Sequence, residues 1–475
     1  DAMNEVLDWD AVDLLGAMRA GTVSSEQVMT ATLSRIKIRN PSINAIVDLE
    51  NADALIEAAR AADSRAKRGR LHGLPIAIKA LENVRGTRNT EGSPLFVNRV
   101  AGEDAGHVAN LRREGAIFIG KTNVPEFGLG SHSYNPVFGV THNPFAVGRT
   151  AGGSSGGAGA ALATGMVALA DGSDMMGSLR NPAGWNNVYG FRPSWGVIPG
   201  NNGTDTFWKQ ISTRGAMARS PRDLALMMSV MARPDPRVPF NMPAIDWELP
   251  SMGRMDGVRI GWLGDWGGAL PMEAGILAQC EAGLGVMSDL GAHVGPVKAP
   301  FDAEALFMAW SDLRAFSLSN DLSEVYDDPI KRDRLKPEAQ WEISRGLKMD
   351  ARALHSACGV RAQWFRGAAD LFTQWDILAL PVAQCWPFPT DWSWPKDIAG
   401  VAMDTYHRWM HVMVPVSLIG VPAISVPVGF GPVNLPMGVQ LFASKGNDAD
   451  LLKVAQAYHA ATLWPQKYLV SLHDT

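Results

Sequence analysis

The sequence predicts an α/β layer fold in one large domain. Short apolar runs alternate with helical patterns along nearly the whole chain. No internal repeat and no long low-complexity linker divides it. Hydrophobic residues make up 46% and charged residues 19%, and 475 residues are enough to bury a large core.

Residues 1–70 read as N-terminal helices. In WDAVDLLGAMRAGTVSSEQ, Val12, Leu15 and Met18 recur at helical spacing, and Ser24 or Ser25 before Glu26 is an N-cap signal for a second helix. ADALIEAARAADSRAKRGR predicts a third helix. LPIAIK, ending in Lys79, and GAIFIGKTN read as strands.

The segment GGSSGGAGAALATGMVALADGSDMMGSLR, Gly152 to Arg180, then concentrates glycine, serine and alanine. Ala158, Ala161, Leu162, Gly165, Met166 and Leu169 recur at helical spacing, and the other faces are also small. This predicts a buried helix whose N-terminus carries Ser154 and Ser155.

Further on, VRIGWLGDW reads as a strand and turn, residues 272–290 as a helix, and residues 303–370 as a mostly helical insert. Residues 371–475 hold WDILALPVA, PAISVPVGF and MGVQLFA as strands, then ADLLKVAQAYHAATLW as a closing helix. VMVPVSLIGVPAISVPVGFG, from Val412, is long enough to span a membrane. Its prolines 415, 422 and 427, with β-branched residues between, predict short buried strands instead.

A net charge of −5, a pI of about 6.1 and the lack of long Lys/Arg runs argue against a nucleic-acid partner. Cys280, Cys358 and Cys385 are odd in number and far apart. They offer neither a disulfide framework nor a C-x-x-C metal site, and a reducing, cytoplasmic compartment is expected. The opening DAMNEVLDWD is acidic where a signal peptide would be basic and then apolar.

The glycine-rich block lacks the lysine of a phosphate-binding loop. Gly153–Gly157 satisfies G-x-S-x-G with Ser155 at the nucleophile position, yet the preceding THNPFAVGRTAGG is turn-rich, where that elbow requires a strand. The serines could simply cap the helix. A second constellation past the helix, GSDMMGSLR, weighs against capping alone.

These residues resemble the amidase signature family, whose hydrolases carry G-G-S-S-G-G, a small-residue helix and a G-S-D-T-G-G-S-[IL]-R segment. Here they stand as Gly152–Gly157 and Gly172–Arg180, with the family's spacing between Ser154 and Ser178. The family's G-[VL]-P-x-x-x-K appears as GLPIAIK, and GAIFIGKTNVPEFGLGS, NPAGWNNVYGFRPSWG, LPVAQCWPFP and LPMGVQLFA also match. The helical insert is where the resemblance says least. It implies a single domain with a central mixed sheet flanked by helices on both faces. It also implies Ser178 as nucleophile, Ser154 as a bridging serine on a cis peptide, Lys79 as base, and a homodimer.

Lysine acts as a base only when neutral, and its ordinary pKa is about 10.4. Burial lowers that value, and Lys79 at the end of an apolar strand permits it. The backbone N–H groups of Met175, Met176, Gly177 and Ser178 are the expected oxyanion hole, with Asp174 and Arg180 bracing the loop. The family usually has Thr-Gly where Met175-Met176 stand, so position 176 is expected to have an ordinary backbone. Met175 or Met176 is expected to narrow the substrate pocket, with plain core packing of both as the alternative, and Trp185 and Trp195 are candidates to line an aryl site.

The expected activity is hydrolysis of a small, uncharged aryl or alkyl amide, without cofactor or metal and away from membranes. An esterase with the same three residues is one alternative. The other is a transamidating component of a tRNA-dependent amidotransferase, which needs partners and a nucleic-acid surface.

Overall fold

Eleven strands build one mixed sheet: β1 Ile46–Val47, β2 Pro75–Lys79, β3 Ile117–Thr122, β4 Leu169–Asp174, β5 Tyr189–Arg192, β6 Thr213–Ala218, β7 Arg259–Trp262, β8 His293–Pro296, β9 Ile377–Pro381, β10 Ala423–Phe430 and β11 Pro436–Phe442. Their order across the sheet is β1-β3-β2-β4-β6-β5-β10-β11-β9-β7-β8. The computed structural model describes residues 2–66, 69–200, 205–208 and 210–470.

β2 runs parallel to both β3 and β4, whereas β6 is antiparallel to β4 and β5. The C-terminal ends of β2 and β4 therefore leave the sheet side by side. Lys79 closes the first and Ser173–Asp174 the second. A crevice outside strand C-termini is where α/β sheets usually hold a ligand.

The N-terminal helices are Ala11–Ala20, Ser25–Ile43 and Ala52–Asp63. Ser24, not Ser25, caps the second: its side chain accepts from Gln27 N–H while the Gln27 side chain accepts from Ser24 N–H. The third ends at Asp63, short of the AKRGR stretch in which the sequence pattern ends, and of that stretch residues 67 and 68 lie outside the described residues. The insert is helical as expected, with Ala303–Asp321, Pro337–Leu347 and Ala351–Leu371 as its longest members.

Three readings change. The small-residue helix spans only Gly156–Ala163, and Leu169 belongs to β4. β4, β5 and β6, near the middle of the sheet, are strands that no local pattern predicts. The stretch from Val412 is not all strand: a 3₁₀ turn, Arg408–Met413, leads into a helix, Val414–Ile419, with Pro415 in its first turn, where a missing N–H costs nothing. Only then does β10 begin. No helix among the described residues is long and apolar enough to cross a membrane.

The Gly156–Ala163 helix is buried along its entire length. A Cβ on Gly157 would lie 2.7 Å from the Ala45 carbonyl oxygen, so only glycine lets this helix approach the β1 edge so closely.

Candidate active site

Lys79 has no solvent exposure. Its Nζ lies 2.7 Å from Ser154 Oγ, 2.8 Å from Ser155 Oγ, 3.0 Å from Ser173 Oγ and 3.3 Å from the Ser173 carbonyl. Its backbone N–H donates to Asp171 Oδ1 at 2.8 Å, and Asp171 Oδ2 lies 2.9 Å from His107 Nε2. Burial pulls the lysine pKa down to about 8 against the opposing pull of Asp171, Glu82 and Asp174. Leaving the amine neutral at pH 7 then costs about 1.4 kcal/mol, against about 4.6 for an ordinary lysine.

Neither serine caps the helix. Ser155 occupies the N-cap position with its side chain making no capping bond. The first helical donors go elsewhere: Gly156 N–H to Ser133 Oγ and Gly157 N–H to the Asn123 carbonyl. Both hydroxyls are thus free to face Lys79, and the Gly153–Ser154 peptide is cis.

Ser178 is not among the Lys79 partners. It opens instead, with Ser154, onto a cavity of about 1350 Å³. Met175, Met176, Trp195 and Arg314 also line this space.

The loop carrying Ser178 is held by Asp174, whose carboxylate accepts from Gly177 N–H (2.9 Å), Leu179 N–H (3.1 Å), Arg180 (3.0 Å) and Arg192 (2.6 Å). Burial alone would raise the Asp174 pKa, but the two guanidiniums outweigh it and keep the group ionised far below the usual carboxylate range. Arg180 also reaches Gln440 Oε1 at 2.6 Å and Ser417 Oγ at 2.8 Å.

The left-handed backbone angle in this loop falls on Gly177, φ 91°, and not on Met175 or Met176. A Cβ at Gly177 would lie 2.5 Å from Met413 Cγ, so glycine is required there twice over.

Of the four expected oxyanion donors, Gly177 is removed by the structure, because its N–H is already given to Asp174. The N–H groups of Met175, Met176 and Ser178 have no acceptor among the described residues. Trp185 is also corrected. It is fully buried, does not line the cavity, and stacks on Trp409 with centroids 5.9 Å apart. Trp195 does line the cavity.

Ser155 and Ser173 are lysine partners that the sequence reading misses. Their signal is present all the same: Ser155 follows Ser154 directly, and Ser173 lies in the same GSD run as Asp174. No cluster of metal-ligating side chains occurs among the described residues.

Comparison with known proteins shows the family. The amidase family model matches residues 27–452. The chain is 32% identical over 478 residues to an acylamidase of Rhodococcus erythropolis, with 97% of each chain covered. It is 34% identical over 480 residues to a glutamyl-tRNA(Gln) amidotransferase polypeptide of Thermus thermophilus, covering 95% of this chain and 97% of that one. The crystal structure of a bacterial aryl acylamidase of the amidase signature family superposes with a TM-score of 0.90 at 26% identity, covering 97% and 98% of the two chains.

Fold and family together define a hydrolase of the amidase class. The chain belongs to the amidase signature family.

Proposed function

We propose that this amidase cleaves the C–N bond of a small, uncharged aryl or alkyl amide through Ser178, Ser154 and Lys79. The observation that carries the reading is a fully buried lysine amine 2.7 Å from Ser154 Oγ, with Ser154 and Ser178 on one cavity.

A hydroxyl is a poor nucleophile until a base takes its proton. The Ser178 proton passes to Ser154, whose own proton passes to neutral Lys79, as the Ser178 Oγ–carbonyl carbon bond forms. The negative oxygen is received by the free backbone N–H groups of Met175, Met176 and Ser178; loss of a single oxyanion donor typically costs about 10²–10³ in rate. The proton returns through Ser154 to the departing nitrogen as the C–N bond breaks. Water then attacks the acyl-enzyme, gives up its proton along the same path, and releases the acid and Ser178.

A fluorophosphonate, followed by peptide mapping, is expected to label Ser178 alone, and the purified chain is expected to hydrolyse simple anilides unaided. The likeness to an amidotransferase polypeptide supports a second reading, transamidation with partner chains. Labelling at Ser178 with no amide hydrolysis by the isolated chain would favour that second reading. An ester-only turnover would favour the esterase.

Met176 is buried and forms part of the cavity wall. Met176→Gly is expected to raise kcat/KM for long-chain acyl anilides relative to acetanilide by at least about tenfold. An unchanged ratio across an acyl-length series would show that the side chain does not set the pocket depth.

A further inference from the structure

We propose that Trp310 is a positioning residue for acyl transfer: its indole N–H holds the Met175 carbonyl and thereby aims the Met176 N–H at the oxyanion. The inference rests on the Ser178 reading above. It assigns a role to the helical insert, the part of the chain about which family resemblance says least.

Trp310 lies on the Ala303–Asp321 helix, fully buried, with Nε1 3.2 Å from the Met175 carbonyl oxygen. In a trans peptide the carbonyl and the following N–H point in opposite directions within one plane. The Met175–Met176 bond is trans. Fixing the Met175 carbonyl toward the insert therefore fixes the Met176 N–H toward the opposite side.

Little else restrains that plane. On one side the chain is anchored at Asp174, which pairs with Thr213 across the sheet, and on the other at Gly177, whose N–H is bound to Asp174. Between these anchors the indole is the only partner of the Met175–Met176 peptide among the described residues. Without it, no hydrogen bond among the described residues fixes the plane, and the donor loses its preorganised direction, which is what gives such groups their catalytic worth.

The indole is itself clamped. His407 meets its ring edge-on, with centroids 4.9 Å apart. The Arg314 guanidinium lies 5.6 Å from the ring centroid, and its Nη1 reaches Met175 Sδ at 3.3 Å. Both clamps converge on Glu342: Arg314 Nε at 3.4 Å from Oε1 and His407 Nε2 at 2.5 Å from Oε2, with the Tyr406 hydroxyl donating to Oε1 at 2.6 Å. A buried cluster of Arg314, Glu342, Tyr406 and His407 is thus connected, through the indole and through the Arg314–Met175 contact, to the loop beside Ser178.

The test replaces Trp310 with benzothienylalanine, which keeps the ring shape and exchanges the N–H for sulfur. Rates are expressed per active site titrated by fluorophosphonate. The expected result is a kcat about tenfold lower with KM unchanged, and an equal loss of affinity for a boronic-acid analogue that forms a tetrahedral adduct. The titratable fraction and thermal midpoint are expected to stay as in the unmodified protein; a merely structural role would lower both and spare kcat per site. Trp310→Phe, read in the same way, serves if the unnatural residue lowers the yield. Labelling at Ser178 with unchanged kcat and analogue affinity would overturn this proposal alone. Failure of the unmodified protein to label at Ser178 would overturn it together with the triad reading.

Discussion

Lys79→Met is expected to lower kcat/KM for any amide by about 10³-fold, the middle of the range for loss of a general base. Methionine fills most of the lysine volume without a titratable group, so the buried slot at the end of β2 stays filled. Ser154, Ser155 and Ser173 then lose their common partner, and among the described residues no other amine or imidazole bonds these hydroxyls. The variant is also expected to label with fluorophosphonate about as much more slowly, since that reagent needs the same deprotonated Ser178. Single-turnover amide hydrolysis and labelling rates, measured together, check this. A variant that labels at the unmodified rate would show that Lys79 is not the base.

The largest expected effect on stability comes from Asp174→Ala. Arg180, Arg192 and Asp174 all have side chains without solvent exposure, and the one carboxylate meets both guanidiniums. Removing one partner of a buried pair typically costs about 3–5 kcal/mol, because it leaves an uncompensated charge. Here two cations are stranded at once. The same change frees Gly177 and Leu179 N–H, so the loop bearing Ser178 loses its anchor. Guanidinium unfolding is expected to show a lower midpoint with a similar slope. A midpoint equal to that of the unmodified protein would mean that other groups balance the two arginines.

The candidate site is readable in the sequence because its residues lie in local motifs. Lys79, Ser154 and Ser178 each stand in a short motif whose neighbours, glycines above all, serve the same purpose. The strands β4, β5 and β6 are hidden for the opposite reason. LADGSD in β4 carries no β-branched residue and continues the helical periodicity of the preceding helix, so its strand state comes from pairing with β6 over six residues rather than from propensity. Trp185 illustrates a different limit. Nearness in sequence to the reacting loop suggests a pocket wall, but the short helix Asn181–Trp185 turns its ring into the core beside Trp409 and Phe388. Trp310 is unreadable altogether, because it reaches Met175 from 135 residues away and no local pattern records such a contact.

In the proposed reaction a desolvated, uncharged lysine drives acylation of Ser178. The pH dependence of single-turnover acylation reads the protonation state of that lysine. With the Lys79 pKa lowered to about 8, the required neutral form grows as pH rises. The rate is therefore expected to climb about tenfold per pH unit up to about pH 8 and to level off above it. A rate that does not change between about pH 6 and pH 10 would rule out a titrating Lys79 as the base.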